Sequence, residues 1–172
     1  MQGASARTVV FDPRPILGVL AQHQVHFVVI GGIAASLQGS TTITNDFDIC
    51  YARDKENLER LAAALNELQA TLRGVREQVA FLLDARTLKA GLNFTFDTKY
   101  GPFDCLGAAA GGFDFEQLRR NADGMDLVGT NVLVASLDDL IRMKRAAGRS
   151  KDLIELENLS ALREVRDSEE PS

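Results

Sequence analysis

The chain has few of the residues on which thiolate metal sites and disulfide scaffolds depend. Its 172 residues include two cysteines and two histidines. Cys50 and Cys105 belong to no Cys-x-x-Cys or Cys/His spacing, so we do not expect them to bind a metal. No apolar run approaches the roughly 18 residues of a membrane span, and no charged-then-apolar leader opens the sequence. We therefore expect a cytoplasmic protein with reduced thiols and no membrane partner.

Positive charge is also scarce. The chain has 19 Lys and Arg against 24 Asp and Glu, a net charge of −5. Such a molecule does not attract nucleic acid through its overall field, so any contact of that kind needs a local basic patch. The densest patch is residues 142–151, with five cations and no carboxylate. A solvated helix end is the simpler interpretation of a charge run.

Length and an apolar content of 45% fit one globular domain. We expect a single domain over residues 1–172, with a core at about 23–135 and C-terminal helices at about 136–166. The hydrophobic pattern alternates between helical and extended periods, which predicts an α/β (α+β) fold. The residues 70–90, with an apolar run at 79–83, fit either a strand or a helix.

Periodicity and turn residues predict the individual elements. Helices are predicted over residues 13–22, 33–38, 54–69, 115–121, 137–147 and 151–165. Strands are predicted over residues 25–30, 46–51, 92–97, 103–106, 125–128 and 132–134. Ser136 and Ser150 are predicted to cap the last two helices. Leu92, Phe94 and Phe96 are predicted to face the core.

Asp46 and Asp48 stand two apart in a predicted strand, fourteen residues after Gly31-Gly32. Residues two apart on a strand project to the same face, so the two carboxylates share a small volume. Their repulsion at about 4 Å is on the order of 4 kcal/mol at an effective dielectric near 20. A divalent ion reverses the sign of that interaction, and hard oxygen ligands suit Mg²⁺.

A third carboxylate would complete a two-metal site. Asp104 is the preferred candidate because it alternates with Phe103 and Cys105 in a predicted strand, and Asp97 is the competitor. Strand parity also puts Cys50 on the face of Asp48 and Cys105 on the face opposite Asp104. We therefore expect no disulfide between the two cysteines.

The order of these motifs resembles a known signature. Gly31-Gly32, the segment to Gly39 and Asp46-Phe47-Asp48 resemble the DNA polymerase β-like nucleotidyltransferase superfamily. Residues 39–48 resemble the Gly-x-x-Arg-x-Thr-x-Asp-x-Asp pattern of AbiEii-type (type IV toxin–antitoxin) small bacterial nucleotidyltransferases, and residues 140–153 resemble their C-terminal Lys and Arg-x-Lys-Asp motif. The resemblance covers roughly residues 25–160. It implies a nucleotidyltransferase fold, a mixed β-sheet flanked by helices with a C-terminal helical segment.

The resemblance also implies roles for individual residues. The implied metal ligands and catalytic acids are Asp46, Asp48 and Asp104, and Lys144 joins them as a catalytic residue and triphosphate contact. The implied nucleotide-binding residues are Gly31, Gly32, Ser40, Thr44, Lys144 and Asp152. For Asp152 a helix-start carboxylate is an equally good interpretation. Arg149 and Lys151 either contact a nucleic-acid acceptor or simply cover the domain.

The function implied by the resemblance is Mg²⁺-dependent transfer of NMP from an NTP to a tRNA or protein acceptor, as by the toxin of an AbiE-like pair with a cognate antitoxin. One position departs from the pattern, because Thr42 stands where an Arg is usual. Either nucleotide use is weakened or altered, or another cation such as Lys144 or Arg53 replaces the charge. The alternatives are an antibiotic nucleotidyltransferase and a nucleotide- or partner-binding module without turnover.

Overall fold

A computed structural model describes residues 10–74 and 83–170. The described residues form helices and strands that alternate along most of the chain. The helices are α1 (Pro13–Gln22), α2 (Gly31–Leu37), α3 (Lys55–Glu67), α4 (Ala85–Ala90), α5 (Phe115–Asn121), α6 (Leu137–Ala147) and α7 (Ser150–Glu169). The strands are β1 (Phe27–Ile30), β2 (Phe47–Tyr51), β3 (Thr71–Leu72), β4 (Asn93–Thr98), β5 (Gly101–Leu106), β6 (Asp123–Leu127) and β7 (Thr130–Val134).

The strands form one mixed sheet in the order β3-β4-β5-β2-β1-β7-β6. β2 is parallel to β5 and antiparallel to β1, while β1 is parallel to β7. The outer pairs, β3 with β4, β4 with β5, and β6 with β7, are antiparallel. The predicted α/β class with a mixed sheet flanked by helices is confirmed.

Most helices begin at a residue whose side chain satisfies a first-turn N–H group, as free helix ends require. The side-chain caps are Asp12, Asp54, Asp84, Asp114 and Ser136. α6 ends at Gly148, whose φ of 63° is left-handed and suits glycine. The predicted bounds of α1, α5 and α6 and the Ser136 cap are confirmed.

The central strands divide apolar from acidic side chains by parity. Phe47 and Ile49 of β2 are fully buried, and Phe47 stacks on Phe103 of β5 with ring centroids 5.6 Å apart. Asp48 and Asp104 lie on the other face of the same strands. Burial of the large apolar side chains therefore fixes which face receives the carboxylates.

The two cysteines are buried and free. In the register of β2 with β5, Cys105 lies opposite Ile49 and Cys50 lies opposite Leu106. Adjacent cross-strand partners point to the same face, so the two thiols point to opposite faces. The predicted absence of a Cys50–Cys105 disulfide is confirmed.

Several local predictions were wrong. The second helix begins at Gly31 rather than after the two glycines, and Asp46 precedes β2 rather than opening it. Leu92 precedes β4 and is 46% exposed, whereas Phe96 is buried as predicted. The last helix begins one residue earlier than predicted, with Arg149 rather than Ser150 at its N-cap, and it continues to Glu169. The ambiguous run 79–83 lies outside the described residues except at Leu83.

Across 10–74 and 83–170, none of the helices combines the length and apolar content needed to cross a membrane.

Candidate active site

Three carboxylates meet at the start of the central parallel strand pair. Asp48 of β2 is the direct cross-strand partner of Asp104 of β5. Asp46 stands immediately before β2, two residues from Asp48. One ligand oxygen from each of the three residues lies within 4.8 Å of the others. The structure thus brings together the three acids that the sequence singled out.

Burial and mutual repulsion perturb the cluster. Burial, followed by the charges of Asp46 and Asp104, raises the pKa of Asp48 to about 8, and the cation of Lys144 opposes the rise. Burial also raises the pKa of Asp104, against the opposing effect of Arg73. The fold therefore holds acidic groups in a place where they cannot all be ionised without a compensating charge.

The donor set fits a hard divalent cation. Oδ1 of Asp48 is buried and has no hydrogen-bond partner within the described part of the chain. A buried carboxylate oxygen without a donor is costly unless something binds it. Three carboxylate ligands without cysteine or histidine suit Mg²⁺ or Mn²⁺ rather than a softer metal. Asp46, Asp48 and Asp104 are the residues that could hold such an ion.

Gly31 and Gly32 pass close to the acids where β1 becomes α2. Gly31 has a φ of +70°, and a Cβ there would overlap the Asp48 carboxylate. A Cβ on Gly32 would lie 2.6 Å from Cβ of Thr44. The N-terminus of α2 also has no side-chain cap among the described residues. The glycines thus let the main chain pass close to the side chains of Asp48 and Thr44.

Lys144 and Asp152 line the cavity next to these residues. Nζ of Lys144 lies 3.2 Å from Oδ1 of Asp152, and Nε of Arg149 lies 2.7 Å from Oδ2. Burial alone would raise the pKa of Asp152, but the hydrogen bonds from Arg149 and Lys144 bring it below its usual value. Lys144, Arg149 and Asp152 share a cavity of about 140 Å³ with Gly31 and Asp48.

Asp152 is both a helix-start carboxylate and the ion-pair partner of Lys144. Its Oδ2 accepts the main-chain N–H of Arg149 at 3.2 Å, so it is a helix-start carboxylate. Its Oδ1 is at the same time the partner of Lys144. Its side chain is 1% exposed, so this pairing is buried and fixes the direction of the Lys144 stem.

The loop between α2 and β2 supports the acids from the side of α7. Oγ1 of Thr44 donates to Oδ1 of Asp46 at 2.8 Å. Oγ of Ser40 lies 3.1 Å from Oε1 of Glu155, and Thr42 donates to the other oxygen of Glu155. Thr44 therefore touches the acidic cluster directly, whereas the hydroxyls of Ser40 and Thr42 face the C-terminal helix.

Arg53 does not replace the cation that is missing at Thr42. Its guanidinium donates to Oη of Tyr51 and to the carbonyl of Lys89. Arg53 follows the end of β2, whereas Asp46 and Asp48 lie at its start. Of the two replacements considered from the sequence, Lys144 is the one at the acids.

Sequence reasoning missed two charged residues beside the site. Arg73 contacts Asp104, and it also binds Asp97, the alternative third acid, which lies outside the cluster. Glu155 holds the loop that leads to Asp46. Arg73 belongs to a segment without clear periodicity. A signal for Glu155 was available, because it follows Asp152 by one helical turn on the buried face of α7.

A larger cleft of about 920 Å³ opens elsewhere. Its lining includes Phe27 and Thr130, the first residues of β1 and β7, so it lies at the opposite end of these strands from Gly31. Its cations Arg60 and Arg119 already pair with Glu56 and Glu116. The acidic cluster, and not this larger cleft, is the candidate site.

Comparison with known proteins gives a fold and no closer relationship. No protein-family model matches the chain, and neither does any curated protein. Among solved structures, the lincosamide antibiotic adenylyltransferase LnuA in its lincomycin-bound form aligns with a TM-score of 0.58 at 11% identity, over 87% of this chain and 94% of LnuA. The antibiotic-resistance factor ANT(2'')-Ia aligns with a TM-score of 0.55 at 15% identity, over 90% and 89% of the two chains.

A third solved structure, TM1012 of Thermotoga maritima, aligns with a TM-score of 0.51 at 17% identity, over 95% of this chain and 99% of that one. At such low identities the likeness establishes fold alone. The chain has the nucleotidyltransferase fold, and the alignments extend over nearly all of it.

Proposed function

We propose that the protein is a nucleotidyltransferase that moves NMP from an NTP to an acceptor hydroxyl with Mg²⁺. The observation that carries the proposal is the convergence of Asp46, Asp48 and Asp104 in a chain with the nucleotidyltransferase fold. Clustered carboxylates are unfavourable for stability, and so is the buried Oδ1 of Asp48, which has no hydrogen-bond partner among residues 10–74 and 83–170. Such a conflict is typical of a functional site.

Each proposed role follows from position. Asp46, Asp48 and Asp104 would hold Mg²⁺, which when bound neutralises negative charge on the reacting phosphate groups. Asp104 would also accept the proton of the acceptor hydroxyl, whose oxygen bonds to the α-phosphorus as pyrophosphate leaves. Gly31 and Gly32 would offer backbone N–H groups to the phosphates, and Lys144 a point charge.

Arg149 is a candidate for the cation that Thr42 does not provide. Its guanidinium lines the same cavity as Lys144 and Asp48. Asp152, which binds Arg149, and Glu155, which binds Thr42, lie three residues apart on α7. Because the partners of Arg149 and Thr42 are one turn apart on α7, the Arg149 guanidinium is offered as the replacement cation for the phosphates.

We place the acceptor among tRNA or protein chains, with a cognate antitoxin as a partner, on the resemblance of residues 39–48 and 140–153 to AbiEii-type enzymes. The exposed cations that could meet a polyanion lie at the junction of α6 and α7: Arg142, Arg145, Arg149 and Lys151. An antibiotic acceptor is the second candidate, favoured by the fold likeness to LnuA and ANT(2'')-Ia. A binding module without turnover is the third, motivated by Thr42.

Label transfer from α-labelled NTP tests the proposal. The assay offers total RNA, protein extract, a lincosamide and an aminoglycoside, each with Mg²⁺ and each of the four NTPs. We expect Asp46→Ala and Asp48→Ala to abolish detectable transfer, because both remove metal ligands. Glu59→Ala, an exposed carboxylate on α3, is the matched control and should retain full transfer.

Titration calorimetry of NTP binding, read together with the labelling results, separates the three candidate functions. Wild-type protein that binds an NTP with Mg²⁺ but labels no acceptor would favour the binding module. Labelling of the antibiotic alone would favour the second candidate. Undiminished labelling by folded Asp48→Ala protein would refute the acidic mechanism.

A further inference from the structure

Arg73 follows β3 and extends across the outer strands to the acidic cluster. Its Nη2 lies 2.9 Å from Oδ1 of Asp104, and its Nε lies 3.0 Å from Oδ1 of Asp97. Nη2 also donates to the carbonyl of Phe96 at 2.8 Å. The main-chain N–H of Arg73 donates to the carbonyl of Thr95 at 2.9 Å. Both the backbone and the side chain of Arg73 are thus attached to β4.

Two of the three partners of the guanidinium are independent of Asp104. Asp97 and the Phe96 carbonyl hold it whether or not the Asp104 carboxylate is engaged. A guanidinium presents its N–H groups in a rigid planar fork, so these two anchors fix the direction of the N–H group that meets Asp104. Arg73 is therefore a preorganised hydrogen-bond donor to Oδ1 of Asp104.

Asp104 requires a fixed donor because the negative charge of Asp46 repels it. Oxygens of Asp46 and Asp48 lie within 4.8 Å of its carboxylate, and its side chain is 18% exposed, so water screens the repulsion weakly. With Oδ1 held by Arg73, the carboxylate resists rotation out of the cluster. Its other oxygen is left to serve the site.

The strand order separates this contact from the phosphate-binding wall. Arg73 reaches Asp104 from the side of β3 and β4, whereas Gly31 follows β1 on the far side of β2. Lys144 lines the cavity beside Gly31. Arg73 thus approaches the acids from the side opposite the proposed triphosphate contacts.

We propose that Arg73, anchored by Asp97, is a positioning residue that fixes the Asp104 carboxylate as the third arm of a divalent-cation site. The inference rests on the proposed function in one respect, namely that the acidic cluster binds a divalent cation. Asp97, the alternative third acid, has a supporting role: it orients the Arg73 guanidinium, which in turn orients Asp104.

Binding of Mn²⁺ alone, followed by electron paramagnetic resonance of the free ion, tests the proposal without requiring turnover. We expect Arg73→Ala to raise the Mn²⁺ Kd about 10–100-fold, the usual cost of losing a group that orients a metal ligand. Arg73→Lys keeps the charge without the fork, so it should also weaken binding. Asp97→Ala should weaken binding less, and it should add nothing in the Arg73→Ala background because the two residues act as one unit.

Arg119→Ala is the matched control, because Arg119 forms an exposed ion pair with Glu116 on α5. Its Kd should equal that of the wild type. Unchanged or tighter Mn²⁺ binding by folded Arg73→Ala protein would overturn the proposal, since a guanidinium that acts only through its charge repels the metal. If Arg73→Ala does not fold by circular dichroism, Arg73→Lys decides, and wild-type affinity in that variant overturns the proposal.

The failure of this inference is distinguishable from that of the proposed function. Wild-type protein that binds Mn²⁺ but transfers no nucleotide contradicts the function, and the Kd comparison still decides the role of Arg73. Wild-type protein that binds no Mn²⁺ contradicts the metal site and overturns the positioning role with it.

Discussion

Asp48 occupies a position that its own charge opposes. It is flanked by Asp46 and Asp104, it has a buried oxygen without a partner in the described residues, and burial is the largest cause that raises its pKa to about 8. A neutral residue of the same shape would suit the fold better. We therefore expect Asp48 to lower the free energy of unfolding of the metal-free protein and to contribute instead to metal binding.

This conflict predicts a pH-dependent effect of Asp48→Asn on the metal-free protein. The native pKa of about 8 exceeds the ordinary 3.8, so between about pH 4 and pH 8 the native state keeps a proton that the unfolded chain releases. Stability contributed by the protonated Asp48 is present below about pH 4 and is lost as pH rises through 8. Denaturant unfolding should show Asp48→Asn more stable than the wild type by several kcal/mol at pH 9, and by a much smaller amount at pH 5, where little of the proton-linked cost has accrued.

An equal effect of Asp48→Asn at both pH values would contradict a raised pKa. The same difference measured with saturating Mg²⁺ should reverse in sign, because only the wild type gains binding energy from the ion.

At the scale of elements, the site is built where β1 turns into α2 beside the start of β2. The left-handed Gly31 lets α2 begin directly after β1, and the absence of a Cβ leaves room for the Asp48 carboxylate. α7 holds the next loop through Glu155, and Arg166 donates to the carbonyl of Gln38 at 2.6 Å. Strand ends, a short helix and the last helix together position the acids.

Gly31→Ala should destabilise the protein by about 1–3 kcal/mol, since it combines a left-handed φ with overlap on Asp48. Gly18→Ala is a matched control within α1, where a Cβ would meet nothing within 4 Å. It should stabilise by about 0.5–1 kcal/mol through helix propensity. Chemical denaturation measures both variants, and an unaffected Gly31→Ala protein would contradict the described turn.

The sequence predicted the elements that have strong local signals. Alternation around Phe103 and Cys105 put Asp104 on the face opposite these apolar residues, and the pairing of β5 with β2, which the sequence did not determine, brings it to Asp48. The Ser150 cap was wrong because the carboxylate of Asp152, at the third helical position, takes the Arg149 N–H instead. The prediction that Leu92 faces the core was wrong because β4 begins one residue later, at Asn93. The alternation within a strand does not determine the burial of a residue that precedes it.

The contacts of Arg73 could not be read from the sequence. Arg73 and Asp104 are separated by 31 residues and by an intervening strand. Such a contact depends on the order of strands in the sheet, for which the local pattern has no signal. Asp97, the alternative third acid, is only seven residues before Asp104 in the sequence. In the structure it pairs with Arg73 instead of joining the acidic cluster.

At the scale of the molecule, α7 joins the C-terminal segment to the sheet domain. Leu159 is fully buried, and Asp152 and Glu155 of the same helix are also buried. Ion pairs add to this packing, since Arg163 of α7 lies 3.1 Å from Asp138 of α6. The expected single domain, with its core and C-terminal helices unfolding together, remains a proposal that these contacts support.

Leu159→Ala tests that unity. Because the cavity would form between α7 and the rest of the protein, the variant should lose about 2–5 kcal/mol in one transition. In both the wild type and Leu159→Ala, the near-ultraviolet circular dichroism of the aromatic residues and the far-ultraviolet signal of the helices should be lost together. A separate early transition of the helices, leaving the sheet folded, would show two domains.

Comparison of α-labelled with γ-labelled NTP tests nucleotidyl transfer most directly. Wild-type protein with Mg²⁺ should pass the α label to an acceptor, release pyrophosphate in equal amount and leave the γ label in that pyrophosphate, and Asp46→Ala protein should do none of these. Transfer of the γ label to the acceptor, or transfer of the α label by folded Asp46→Ala protein at the wild-type rate, would contradict it.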